Sequence, residues 1–111
     1  MVNRAGAELD RAFAALSHPI RRQIVARLAQ GPATVAEAAA GTEVSKPAIS
    51  RHLRVLEDAN VILRDVQGRE HRLSLNGGSL DGASDWIVRQ RELWERKFDV
   101  VEAYLEERKR R

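Results

Sequence analysis

Apolar residues recur at helical spacing along most of this chain and alternate in one short stretch. Over Glu8 to Leu16, Leu9, Phe13 and Leu16 mark one apolar face, with Ala12 beside them. His18-Pro19-Ile20 opens the next helix, because proline fits a first turn, where its missing N–H would have no partner anyway. Ile20, Ile24, Val25 and Leu28 form the stripe of that helix. Arg21, Arg22, Gln23 and Arg27 fill its other face, and Gly31-Pro32 ends it. Thr34-Val35-Ala36-Glu37 matches a capping box, which opens a short alanine-rich helix stopped by Gly41. After the turn Thr42-Glu43-Val44, Ser45 caps another helix with Pro47 in its first turn and Ile49, Leu53 and Leu56 on one side. Asn60 ends it. Ile62 to Val66 reads as a strand, Gln67-Gly68 as a tight turn with the glycine at positive φ, and His71, Leu73 and Leu75 alternate with Arg72 and Ser74 as a second strand. Asn76-Gly77-Gly78 breaks the chain. From about Ser79 to Arg108 one long helix follows, with Trp86, Ile87, Trp94, Phe98, Val101 and Leu105 near heptad spacing.

The predicted fold is therefore mainly α with a small β-hairpin, in the order α-α-α-α-β-β-α, as one domain over residues 1–111. The length of 111 residues supports one core and not two. Hydrophobic residues at 43% and charged residues at 32% are an ordinary globular balance. No apolar run approaches the roughly 20 residues of a membrane span, and the first residues hold no apolar signal-peptide core, so a cytoplasmic protein is expected. The absence of cysteine excludes disulfides, thiolate zinc sites and cysteine nucleophiles. No nucleophile, base and orienting group converge, and no phosphate-binding glycine loop or metal motif occurs, so no enzyme and no cofactor are expected.

The net charge of +3 is only mildly basic, so the placement of charge decides its meaning. A short helix followed closely by a second one is a helix-turn-helix, whose second helix enters the DNA major groove. Here no acidic residue interrupts Ser45 to Leu56, and Glu57 and Asp58 come only at its far end. Lys46, Ser50, Arg51 and Arg54 can reach bases or phosphates, and N–H groups near Ser45 can receive a phosphate oxygen. The hairpin is the wing of a winged helix, with Arg64, Arg69 and Arg72 around a tip built on Gly68. The alternative for such a domain is a protein-interaction module, with Arg51 and Arg54 docking on an acidic protein.

Three stretches carry a specific resemblance: LSHPIRRQIVARLAQGPATVAE, VSKPAISRHLRVLEDANVI and RDVQGREHRLSL. Together they resemble the ArsR/SmtB family of winged helix-turn-helix transcriptional regulators, and the long last helix extends the likeness over nearly the whole chain. The resemblance implies a homodimer that binds an inverted repeat in double-stranded DNA at its own promoter and represses it. It implies Ser45, Lys46, Ser50, Arg51, His52 and Arg54 as recognition-helix contacts and Arg69 as the wing-tip contact. His52 reads equally as a phosphate contact or as a packing histidine against the short helix. Dimerisation falls to residues 8–16 and 79–108, and DNA reading to 34–75.

The chain departs from the family's metal sensors. Where one type carries cysteines on the short third helix, it has Ala38, Ala39 and Ala40. Where another carries Asp and His on the last helix, it has Asp81, Asp85, Asp99 and Glu102 but no histidine. Carboxylates alone suit zinc and copper poorly, so no transition-metal sensor is expected. The chain is similar instead to a cysteine-free subgroup with tryptophans on the last helix. A helix of about 45 Å exceeds what so small a domain covers, so its aromatic stripe points to a partner. A pocket for a small-molecule effector beside Trp86 or Trp94 is the rival reading.

Overall fold

The computed structural model describes residues 4–110. The helices are α1 (Arg4–Ala15), α2 (Pro19–Leu28), α3 (Val35–Ala39), α4 (Lys46–Asp58) and α5 (Gly77–Lys109), and the strands are β1 (Ala33–Thr34), β2 (Ile62–Gln67) and β3 (Glu70–Leu75). The stripes of α2 and α4 and the inward positions of the strands become the core, while the aromatic stripe of α5 stays exposed. Ile24 of α2, Leu53 and Leu56 of α4, Val61, Ile62 of β2 and Leu73 of β3 are its largest fully buried side chains. Ala12 and Ala15 bring α1 onto this core with nothing longer than a methyl group. Among the described residues no buried side-chain polar atom lacks a partner, and no helix is long and apolar enough to cross a membrane.

The expected hairpin is part of a three-stranded antiparallel sheet in the order β1-β3-β2. Ala33 pairs with Leu73 and Thr34 with Arg72. A two-residue strand is too short to show alternation. It forms because Ala33 is fully buried, where its backbone groups need partners, and the free edge of β3 supplies them.

Thr34 then serves twice, as the end of β1 and as the cap of α3. Its hydroxyl accepts from Glu37 N at 3.2 Å, and its own N–H donates to Glu37 Oε1 at 3.1 Å. The Thr34 backbone N–H, followed by its hydroxyl, holds the Glu37 carboxyl below its ordinary value of 4.5. That contribution is present above pH 4.5 and fades as the pH falls below it. Replacing Thr34 with alanine is expected to cost about 1 kcal/mol of stability in a urea titration at pH 7, with less of that loss seen at pH 3.

The chain does not break at Gly77-Gly78; both lie in the first turn of α5. Asn76 makes the corner. Its N–H donates to Val61 O and its Nδ2 to Asn60 O, both at 2.8 Å, while the Ser79 hydroxyl closes the first turn on Asn76 O at 2.8 Å. Glycine is tolerated there because the first-turn N–H groups have no intrahelical partners to lose. α5 then runs 33 residues, about 50 Å, and stretches the molecule to 75 × 36 × 21 Å.

Candidate nucleic-acid interface

α3 and α4 are joined by a turn in which Gly41 adopts φ 83 and Glu43 φ 56. The Gln23 side chain donates to Gly41 O at 3.3 Å and holds this turn against α2. The Ser45 hydroxyl accepts from Ala48 N at 3.3 Å, so its oxygen caps α4 and its own O–H is left to donate outward. Pro47 in the first turn fixes the backbone without losing a helical hydrogen bond. With Ile49, Leu53 and Leu56 buried, the helix has one possible outer face.

That face carries Lys46, Ser50, Arg51 and Arg54, all exposed. Among the described residues none of these side chains has a hydrogen bond or ion pair. The arginines of α2 behave differently. Arg21 donates from Nε to Ala15 O at 2.7 Å and from its terminal nitrogens to Ala14 O and His52; Arg22 donates to Leu16 O at 2.8 Å; Arg27 pairs with Glu37 at 3.6 Å. The sequence shows arginine on both helices. The structure ties one set to carbonyls and a carboxylate and leaves the other facing solvent.

His52 does not join that outer face. It is partly buried, its ring 4.4 Å from that of His18, with its Nδ1 3.2 Å from Arg21 NH1. It packs against His18 and Arg21 at the start of α2. Burial first, then the neighbouring His18, Arg21 and Arg51, push its imidazole below the ordinary value of 6.5.

The wing turns on Gly68 and Arg69, with Gln67 opposite Glu70. Gly68 has φ 63 and Arg69 does not share a positive φ, the pattern of a type II′ hairpin. Arg69 is exposed at the tip and, among the described residues, has no ion pair. The other two wing arginines are engaged. Arg72 pairs with Glu70 at 3.7 Å, and Arg64 donates from Nε to Glu57 Oε1 at 3.1 Å and sits 3.0 Å from His71 Nδ1. Arg64 and Glu57 thus clamp the wing to the end of α4. Sequence reasoning read Glu57 only as the acid that ends a basic face, since no local pattern links residues seven apart on different elements.

Beside the tryptophans of α5 lie two depressions. A groove of about 750 Å³ between α1 and α5 is lined by Leu9, Asn60, Ala83, Asp85, Trp86 and Arg89, among others. A shallower one of about 210 Å³ lies against Trp94, Glu95, Phe98 and Asp99. Neither offers imidazole or thiolate, and among the described residues no three of His, Cys, Asp or Glu gather closely enough to hold a metal ion.

A capped helix with free cations, reached by a short turn from α3 and flanked by a two-stranded wing, is a winged helix-turn-helix. A family model described as a helix-turn-helix domain matches residues 16–65. The chain is 35% identical over 80 residues to the transcriptional repressor SdpR of Bacillus subtilis, covering 72% of this chain and 89% of that one. It is 51% identical over 53 residues to the HTH-type transcriptional regulator Rv2034 of Mycobacterium tuberculosis, covering 48% of this chain and half the length of that one. The crystal structure of the ArsR-family transcriptional regulator RHA00566 superposes with a TM-score of 0.76 at 34% identity, covering 86% of this chain and 97% of that one. The chain belongs to the ArsR family of helix-turn-helix transcriptional regulators. It is a regulator that binds DNA.

Proposed function

We propose that the protein is a homodimeric repressor that reads an inverted repeat in its own upstream DNA. Residues 34–75 do the reading. α4 of each protomer enters the major groove, where Lys46, Ser50, Arg51 and Arg54 meet base edges and phosphates and Ser45 caps the end that receives a phosphate. Arg69 at the wing tip follows the backbone or the adjacent minor groove. The observation that carries this reading is the contrast in charge use: the cations of α4 are free while those of α2 and most of the wing are spent inside the fold.

Residues 8–16 and 79–108 form the dimer. A monomer of 12.5 kDa exposes about 6,200 Å², and this chain exposes 8518 Å². The excess, about 2,300 Å², is more than the roughly 800 Å² each partner gives to a stable interface. Trp94, Phe98, Val101 and Leu105 account for part of it. A two-fold pair of such chains presents two α4 helices, as an inverted repeat requires.

The test is binding to the upstream segment and to random DNA of equal length, at several salt concentrations. At least 10³-fold preference for the upstream segment is expected at physiological salt, on the order of the usual specificity ratio. Equal affinity for both would overturn the reading.

A further inference from the structure

One cluster plays no part in the face that meets DNA, yet it touches the helix that carries that face. Arg21 of α2 reaches three ways. Its Nε donates to Ala15 O at 2.7 Å, one terminal nitrogen to Ala14 O at 3.1 Å and the other to His52 Nδ1 at 3.2 Å. A guanidinium only donates, so His52 Nδ1 is the acceptor and this imidazole is neutral, with its proton on Nε2. The ring of His18 lies against it at 4.4 Å. His18 Nδ1 accepts from Ile20 N at 3.1 Å and caps α2, so this atom also carries no proton. One guanidinium and two imidazoles thus join the end of α1, the start of α2 and the middle of α4.

We infer that His18, Arg21 and His52 are positioning residues that seat the recognition helix, and that the seat is proton-operated through His52: it holds α4 in place while the His52 imidazole is neutral and releases it when His52 is protonated. A proton on His52 Nδ1 removes the acceptor for Arg21 and sets two cations in contact. The titratable and charged groups facing His52 are His18 from the α1–α2 link, Arg21 from α2 and Arg51 from α4 itself, while α1 contributes only the carbonyls of Ala14 and Ala15. The guanidiniums of Arg21 and Arg51 are both positive, so neither offsets an added proton. The pH at which His52 changes state lies below the ordinary 6.5, for the burial and neighbouring charge already described. Folding stability follows the same sign. The unfolded chain binds a proton at His52 more readily than the folded one, so stability is full above about pH 7 and falls as the pH drops through 6.5.

The consequence for DNA rests on the proposal that α4 reads the operator, so the test has one arm with DNA and one without. In the free protein the imidazole proton signals of His52 are followed by NMR from pH 8 to 5. His52 should take up its proton below 6.5, and the amides of α4 and of residues 14–21 should shift with it. In the DNA arm, affinity at fixed salt should fall between pH 7.5 and 5.5, since each protomer must shed the His52 proton to hold its α4 in place. His18→Asn/His52→Asn keeps an amide oxygen where each Nδ1 accepts and cannot titrate. It should retain the affinity at pH 7.5 and flatten the profile, while His71→Asn in the wing should leave the wild-type slope. Arg21→Lys should lower affinity at pH 7.5 because an ammonium cannot span the three acceptors. Affinity that rises on acidification and loses the rise in His52→Asn would make His52 a phosphate contact and overturn the seat. So would an unchanged slope in the double variant. Absence of specific binding at every pH, together with the expected titration and amide shifts, would overturn the DNA reading and leave the seat standing.

Discussion

Replacing Arg51 and Arg54 together with alanine is expected to abolish operator binding at physiological salt while leaving the fold intact. Both side chains are exposed and make no bond among the described residues, so stability should change by no more than about 0.5 kcal/mol. A dimer loses both residues twice. Each arginine contact to a base or phosphate is worth about 1–3 kcal/mol, so even the low end gives about 4 kcal/mol, or roughly a 10³-fold loss in affinity. The salt dependence separates the roles. Each phosphate contact removed lowers the slope of log affinity on log salt by about 0.9. A slope unchanged beside a large loss of affinity would place both arginines on bases. A variant that folds, dimerises and binds the operator as before would remove α4 from the interface and favour a protein-docking module.

The second large effect concerns assembly. Phe98→Asp should convert the protein to a monomer at micromolar concentration, seen as halved mass in sedimentation equilibrium. Phe98 is 60% exposed and Trp94 68% exposed on the far half of α5, and their rings lie 6.5 Å apart. Nothing in the chain's own core rests on them, since the only buried residue of α5 is Ala83, near its start. The core packed around α4 should therefore melt almost as before. A large apolar residue at an interface centre contributes about 2 kcal/mol or more, and the two-fold axis counts it twice. The dimer Kd should rise at least about 10³-fold. A variant that remained a tight dimer would move the interface to α1 and the proximal part of α5, where Phe13 meets Trp86 edge-on at 5.8 Å.

Much of this architecture is legible without coordinates because it is set locally. The stripe Ile49, Leu53, Leu56 names its own buried face, and Ser45 and Thr34 announce the helix starts they cap. Gly68 marks a turn that few other residues would make. What was not legible depends on partners far away in sequence. β1 exists only because β3 offers an edge to Ala33. The first turn of α5 forms over two glycines because Asn76 is anchored to residues 60 and 61, a contact no local rule encodes.

The amino-acid sequence by itself determined the order of helices and strands, the capped basic helix and the wing, since hydrophobic period, caps and turn chemistry act over a few residues. It also determined that no cysteine or α5 histidine is available to bind metal. The tertiary structure decided which of the many arginines are free. Arg21 and Arg51 look alike in sequence, each on the polar side of an amphipathic helix. Packing brings Arg21 within reach of the carbonyls that end α1 and of His52, 31 positions away, and leaves Arg51 in solvent. A cation's role follows from what it neutralises, and that is fixed only when the helices meet.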